Sequence, residues 1–176
     1  MNMNITTGLL EAFLKCRTKC YLQAHEVVAT ENVYADWVRT QSEVFRSEGI
    51  KRLVAGVAPD KFLTSTHAVE TGRSAKWQLA PDFVTRSGNL QCSCHAVERN
   101  PPDGRGQPAQ FTPIRFVFRN KLTRNDKLLL AFDSLVISKV FSREVALGRI
   151  VYRILRQVSN FSPLFIGESS LTVYRH

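Results

Sequence analysis

No stretch of this chain approaches the ~20 consecutive apolar residues of a membrane-spanning helix, and Met1 to Gly8 has no basic run ahead of an apolar one. The expectation is a protein that is neither exported nor membrane-spanning. Cysteine is scarce, at Cys16, Cys20, Cys92 and Cys94, with none afterwards. Without an export signal this excludes a disulfide framework and fits a reducing, cytoplasmic compartment. Internal repeats and long low-complexity tracts are absent too, so one domain over residues 1–176 is the simplest organisation. Acidic residues thin out along the chain. Residues 1–98 carry eleven Lys or Arg against ten Asp or Glu, whereas residues 99–176 carry thirteen against five.

What is present is ordinary for a globular domain with a core: 176 residues, 44% hydrophobic and 22% charged. The net charge of +9 therefore lies almost wholly in the second part. Such a bias suits a polyanionic partner, because neutralising phosphates releases condensed counterions.

The periodicity predicts a helix over Thr7 to Gln23, capped by Thr7, with Leu10, Phe13, Leu14 and Tyr21 on one face. A second helix, Asn32 to Ala55, would turn Trp37, Val44, Phe45 and Leu53 inward. Phe62 to Thr66 reads as a short strand. Lys76 to Thr85 and Leu90 to Arg99 read as a hairpin around the turn Arg86-Ser87-Gly88-Asn89. Residues 100–108, rich in Pro and Gly, form a loop. Phe111 to Arg119 is a strand with Ile114, Phe116 and Phe118 on an apolar face and Arg115, Val117 and Arg119 on a partly basic one. Thr123 and Asp126 open a helix running through Val140. Arg149 to Leu155 and Ser170 to Tyr174 are further strands. The resulting class is α/β, a mixed central sheet flanked by helices.

Three constellations carry possible chemistry. Arg115, Arg119, Lys121, Arg124 and Lys127 run from the basic strand face into a helix start, where phosphate also meets free backbone N–H groups, and form a candidate backbone clamp. The bland alternative is a solvated strand edge. Cys16, Cys20, Cys92 and Cys94, with His95, are of the types zinc takes, but their spacing is not a pair of CxxC knuckles, so no metal is expected. His95 and Glu98 with Asp82 or Glu70 would make an acid-base or metal site, although strand alternation sends His95 and Glu98 to opposite faces. Trp37 reads as core; Trp77 is undecided between core and base stacking.

Cys16-Arg17-Thr18-Lys19-Cys20-Tyr21-Leu22 resembles the opening helix of RecB-like nucleases of the PD-(D/E)XK fold. Cys94 to Arg99, Thr112 to Val117, Asn125 to Phe132 and Gly148 to Tyr152 look like later stretches of these enzymes, including the CRISPR-associated branch. The resemblance covers about residues 5–153. It implies a restriction-endonuclease-like core and a role in DNA processing, with DNA favoured over RNA and a DNA-processing protein as a second kind of partner. Catalysis in that family uses two carboxylates that hold Mg²⁺ or Mn²⁺ and a lysine that positions water. Here His95 falls near the first acid. Residues 111–122 hold no Asp or Glu, so Arg115 or Arg119 takes the second acid's place, with Val117 or Lys121 at the lysine. Leu129 and Asp133 fall where a Gln and a Tyr are expected. The resemblance thus implies a degenerate centre, with His95, Glu98 and Lys121 the remaining catalytic candidates and Asp82 or Asp103 as displaced acids. The family's iron–sulfur cluster is not expected. Cys16 matches its first ligand, but the C-terminal cysteines are missing.

Overall fold

The computed structural model describes residues 3–27, 32–63, 77–101 and 109–153, together with the backbone of 154 and 165–172. Its mixed α and β content forms two sheets flanked by helices. Helices α1 (Thr7–Lys15) and α2 (Arg17–Ala24) follow a short strand, β1 (Ile5–Thr6). The single helix expected over Thr7 to Gln23 is broken at Cys16, whose extended backbone (φ −165°, ψ 123°) ends one helix and caps the next. The cap of α1 is Thr6, which accepts from the Leu9 N–H, and not Thr7. Thr7, Leu9 and Ala12 form the buried stripe, leaving Phe13 and Tyr21 exposed.

Helix α3 (Val33–Ala55) is capped by Asn32. Phe45 and Leu53 pack against the core as expected. Trp37 and Val44 do not: both are about half exposed, because only the C-terminal half of α3 lies on the sheet. Phe62 makes one parallel bridge to Leu79; residues 64–66 of the expected strand lie outside the described residues.

The expected hairpin divides between two sheets. Strands β3 (Val84–Ser87) and β4 (Leu90–Ser93) pair around Gly88, whose φ of +61° suits glycine, and β1 adds to β4 in parallel. The outer parts of the same hairpin, β2 (Leu79–Pro81) and β5 (Ala96–Asn100), pair instead in a five-stranded sheet of order β2-β5-β6-β7-β8. The crossover lies at Asp82, which takes φ +49°, and opposite it at His95. There the Asp82 N–H donates to the His95 carbonyl. A continuous apolar pattern gives no sign of such a kink.

Strand β6 (Gln110–Val117) is central, antiparallel to β5 and parallel to β7 (Leu147–Ile154), and α4 (Arg124–Phe141) makes the crossover between these parallel strands. Strand β8 (Phe165–Thr172) closes the edge, five residues ahead of the strand start expected at Ser170. Of the expected loop, residues 102–108 lie outside the described residues. Helix α4 starts as the sequence predicts, with a reciprocal capping box between Thr123 and Asp126.

Apolar side chains fill both faces of the larger sheet. Val136, Ile137, Val140 and Phe141 of α4 pack on Trp77, Phe83, Val97 and Phe111. On the opposite face Leu79, Ile114, Phe116 and Val151 meet α3. Trp77 is thus core. Close approach sets the fit: a Cβ on Gly49 would strike the Phe116 ring, and one on Gly148 would come within 2.7 Å of Leu130. Because β6 is covered on both sides, it has no solvated face for Arg115 to occupy.

Candidate nucleic-acid interface

The alternation of β6 points Arg115 away from Ile114 and Phe116, as its sequence predicts, but toward the underside of α4 and not toward solvent. There Arg115 Nε donates to Asp133 at 2.5 Å, and both side chains are almost fully buried. Thr7 Oγ1 donates to the same carboxylate at 3.2 Å, tying α1 to α4. Burial works against the charge of Arg115, but Asp133 outweighs it and the guanidinium pKa is raised. Burial pushes the Asp133 carboxyl above its ordinary value, an effect that Arg115 offsets in part. Arg115 Nη2 is buried without a hydrogen-bond partner among the described residues. Arg115 is therefore withdrawn from the clamp: a guanidinium enclosed this way does not touch a phosphate.

The four cysteines do not assemble as one group. Cys16 and Cys20 lie at the α1–α2 junction, exposed and half-buried, while Cys92 and Cys94 are buried. The ligand atoms of Cys92, Cys94 and Asp133 lie within 4.8 Å of one another. In this trio the carboxylate is already engaged. Asp133 is committed to Arg115 and Thr7, and burial holds the Cys94 thiol well above its ordinary pKa.

The catalytic candidates are separated in the same way. His95 Nδ1 accepts the Phe116 N–H at 2.9 Å, and its ring stacks on that of Phe116. Burial, with Arg115 and Arg46 nearby, lowers its pKa to about 3, so the imidazole is neutral and structural. Glu98 takes a two-pronged ion pair from Arg149, at 2.9 and 3.1 Å. Asp82 is paired with Arg46. Lys121 is exposed in the turn before α4. Glu70 and Asp103 lie outside the described residues. His95, Glu98 and Lys121 thus form no common site.

The remaining clamp residues do stay together. Arg119 reaches Asp126 at 3.5 Å from a side chain 43% exposed, and Lys121, Arg124 and Lys127 are exposed around the α4 N-terminus. The structure adds cations that sequence order kept far away. Asn125 Nδ2 donates to the Leu14 carbonyl at 3.1 Å, which holds the end of α1 beside the start of α4. A small cleft there is lined by Glu11, Lys15, Arg119, Asn125 and Asp126. Of the cations near the α1–α2 junction, Lys15 lines this cleft and bridges to Glu11, Arg17 lies over the Phe13 ring and Lys19 is exposed on α2. The nearness of Lys15 to Arg119 depends on tertiary contact, which sequence order does not reveal. Cys16 lies among the junction cations, its thiol pKa lowered by the backbone N–H groups of Lys19 and Thr18.

No helix among the described residues is long and apolar enough to cross a membrane. No protein-family model matches the chain, and no curated protein does. A solved structure described as "Crystal structure of SSO0001" aligns with 96% of this chain and 67% of that chain, at 12% sequence identity and a TM-score of 0.37, which is too low to bear on fold family or function.

Proposed function

We propose that this chain is a nucleic-acid-binding domain related to the RecB-like PD-(D/E)XK nucleases in which the catalytic centre has been replaced by a buried ion pair. The observation that carries the reading is the pairing of Arg115 with Asp133. In the frame of the resemblance that puts Val117 at the lysine, Arg115 takes the place of a metal-binding acid (in the other frame, with Lys121, Arg119 does), and Asp133 takes a position on the following helix. A guanidinium there repels a dication, and its carboxylate partner is already consumed, so Mg²⁺ or Mn²⁺ lacks the two free oxygen ligands it needs. The order of elements, with a β6–α4–β7 crossover in a mixed sheet between helices, supports a restriction-endonuclease-like core. The displaced-acid alternative is disfavoured by the engagement of Glu98 with Arg149 and of Asp82 with Arg46.

Binding is assigned to the basic surface formed by Lys15, Arg17, Lys19, Arg119, Lys121, Arg124 and Lys127. Its contacts are to phosphates, and it holds DNA for processing or docks a DNA-processing partner onto it. Purified protein incubated with end-labelled single- and double-stranded DNA, with Mg²⁺, with Mn²⁺ or without metal, tests this. The expected result is retarded but intact DNA in every lane. Metal-dependent cleavage abolished by Glu98→Ala would refute the noncatalytic reading.

A further inference from the structure

Helix α3 lies hard against the sheet at Gly49, where a Cβ would collide with the Phe116 ring, and parts from it toward its N-terminus. The parting leaves a cleft of about 150 Å³ between α3 and the C-terminal ends of β6 and β7. Three phenyl rings converge on it: Phe45 meets Phe116 edge-on at 6.4 Å and Phe118 at 6.1 Å. Gln41, Arg52 and Arg153 supply its polar rim, with Glu48 the one carboxylate among the described residues that line it. Arg153 lies over the Phe118 ring at 5.3 Å. Its Nε is buried without a hydrogen-bond partner, and neither Arg52 nor Arg153 has an ion-pair partner among the described residues.

We infer that this cleft receives one unpaired base of a bound nucleic-acid strand, with the adjoining phosphate held by Arg52 and Arg153. The chemistry fits a nucleotide better than a purely apolar group. The rings offer stacking surface, the Gln41 amide offers both a donor and an acceptor to a base edge, and guanidinium groups with no ion-pair partner among the described residues match a phosphate. Position supports it as well. Phe118 and Arg119 are consecutive residues, one lining the cleft and the other lining the small polar cleft beside the α4 N-terminus, so both features share one end of β6. That end is where the parallel strands β6 and β7 terminate. The inference rests on the nucleic-acid reading above and adds strand preference to it: single strands gain a stacked base that an intact duplex cannot offer.

Fluorescence anisotropy with a labelled oligothymidylate, its abasic counterpart of equal length and a blunt duplex separates the possibilities. The wild-type protein is expected to bind the base-bearing strand roughly tenfold more tightly than the abasic one, the scale of a single stacked base. Phe118→Leu should erase that preference while leaving duplex affinity unchanged. Arg52→Ala, at an exposed helical position where the fold does not depend on it, should weaken binding of the single strand alone. Equal binding of base-bearing and abasic strands, or a preference that survives Phe118→Leu, would overturn the inference. Base-independent binding that is lost on changing Lys121, Arg124 and Lys127 to Ala would leave the nucleic-acid reading intact and assign the cleft to a protein side chain instead. If the wild type binds no strand at low salt, both readings fall together.

Discussion

Arg115 shows how far a single residue can be read from its neighbours. Alternation along residues 111–119 puts it opposite Ile114 and Phe116, and it is there; but the same alternation describes a solvated strand and a strand covered on both faces. What distinguishes them is α4, and the residue that receives the charge, Asp133, is eighteen positions away. Removing one partner leaves the other charge buried alone, so Arg115→Met is expected to cost about 3–5 kcal/mol in urea unfolding. The double variant Arg115→Met with Asp133→Leu should recover most of that loss. His95 gives a second test at this scale. Its folded pKa of about 3 lies below the ordinary 6.5, so between these values the unfolded chain binds a proton that the folded one refuses. The stabilisation is full above pH 6.5 and is lost as pH falls toward 3, with a slope of up to about 1.4 kcal/mol per pH unit. His95→Asn, which keeps an acceptor for the Phe116 N–H, should flatten that slope in stability measured across pH 4–7, values chosen as roughly the titration window. An unchanged slope would mean that His95 is not the group responsible.

At the scale of elements, local chemistry was legible where it is self-contained. The Thr123–Asp126 capping box needs only three residues of separation and starts α4 where the sequence predicts. Thr123→Ala should lower stability by about 1 kcal/mol, observable as a shifted unfolding midpoint. Elements defined by distant partners were not legible. The 76–99 hairpin carries one continuous apolar pattern, and its division between two sheets follows from the backbone reversal at Asp82 and the bridging carbonyl of His95. The kink at Cys16 likewise left no mark in the helical periodicity. By propensity alone a glycine inside a helix is a weakness, yet Gly49 permits the contact of α3 with Phe116. Gly49→Ala should therefore destabilise by roughly 1–3 kcal/mol through overpacking, against the ~1 kcal/mol gain that helix propensity alone would give.

For the whole molecule, the fold class and the direction of the charge bias followed from composition and periodicity, whereas the site did not. Arg115 left the expected clamp because β6 is central. Lys15 joined it because Asn125 fastens α1 to α4, a contact between residues 111 positions apart. The basic surface is thus a product of topology, and the proposed phosphate contacts lie on it and not in the buried centre. A salt titration of labelled duplex DNA tests this account most directly, comparing the wild type with the combined Lys121→Ala, Arg124→Ala and Lys127→Ala variant. The wild type should lose affinity linearly in log Kd against log salt, and the variant's slope should be shallower by about 0.9 for each phosphate contact removed. Affinity that ignores salt, or a slope unchanged in the variant, would contradict the assignment of this surface to nucleic acid.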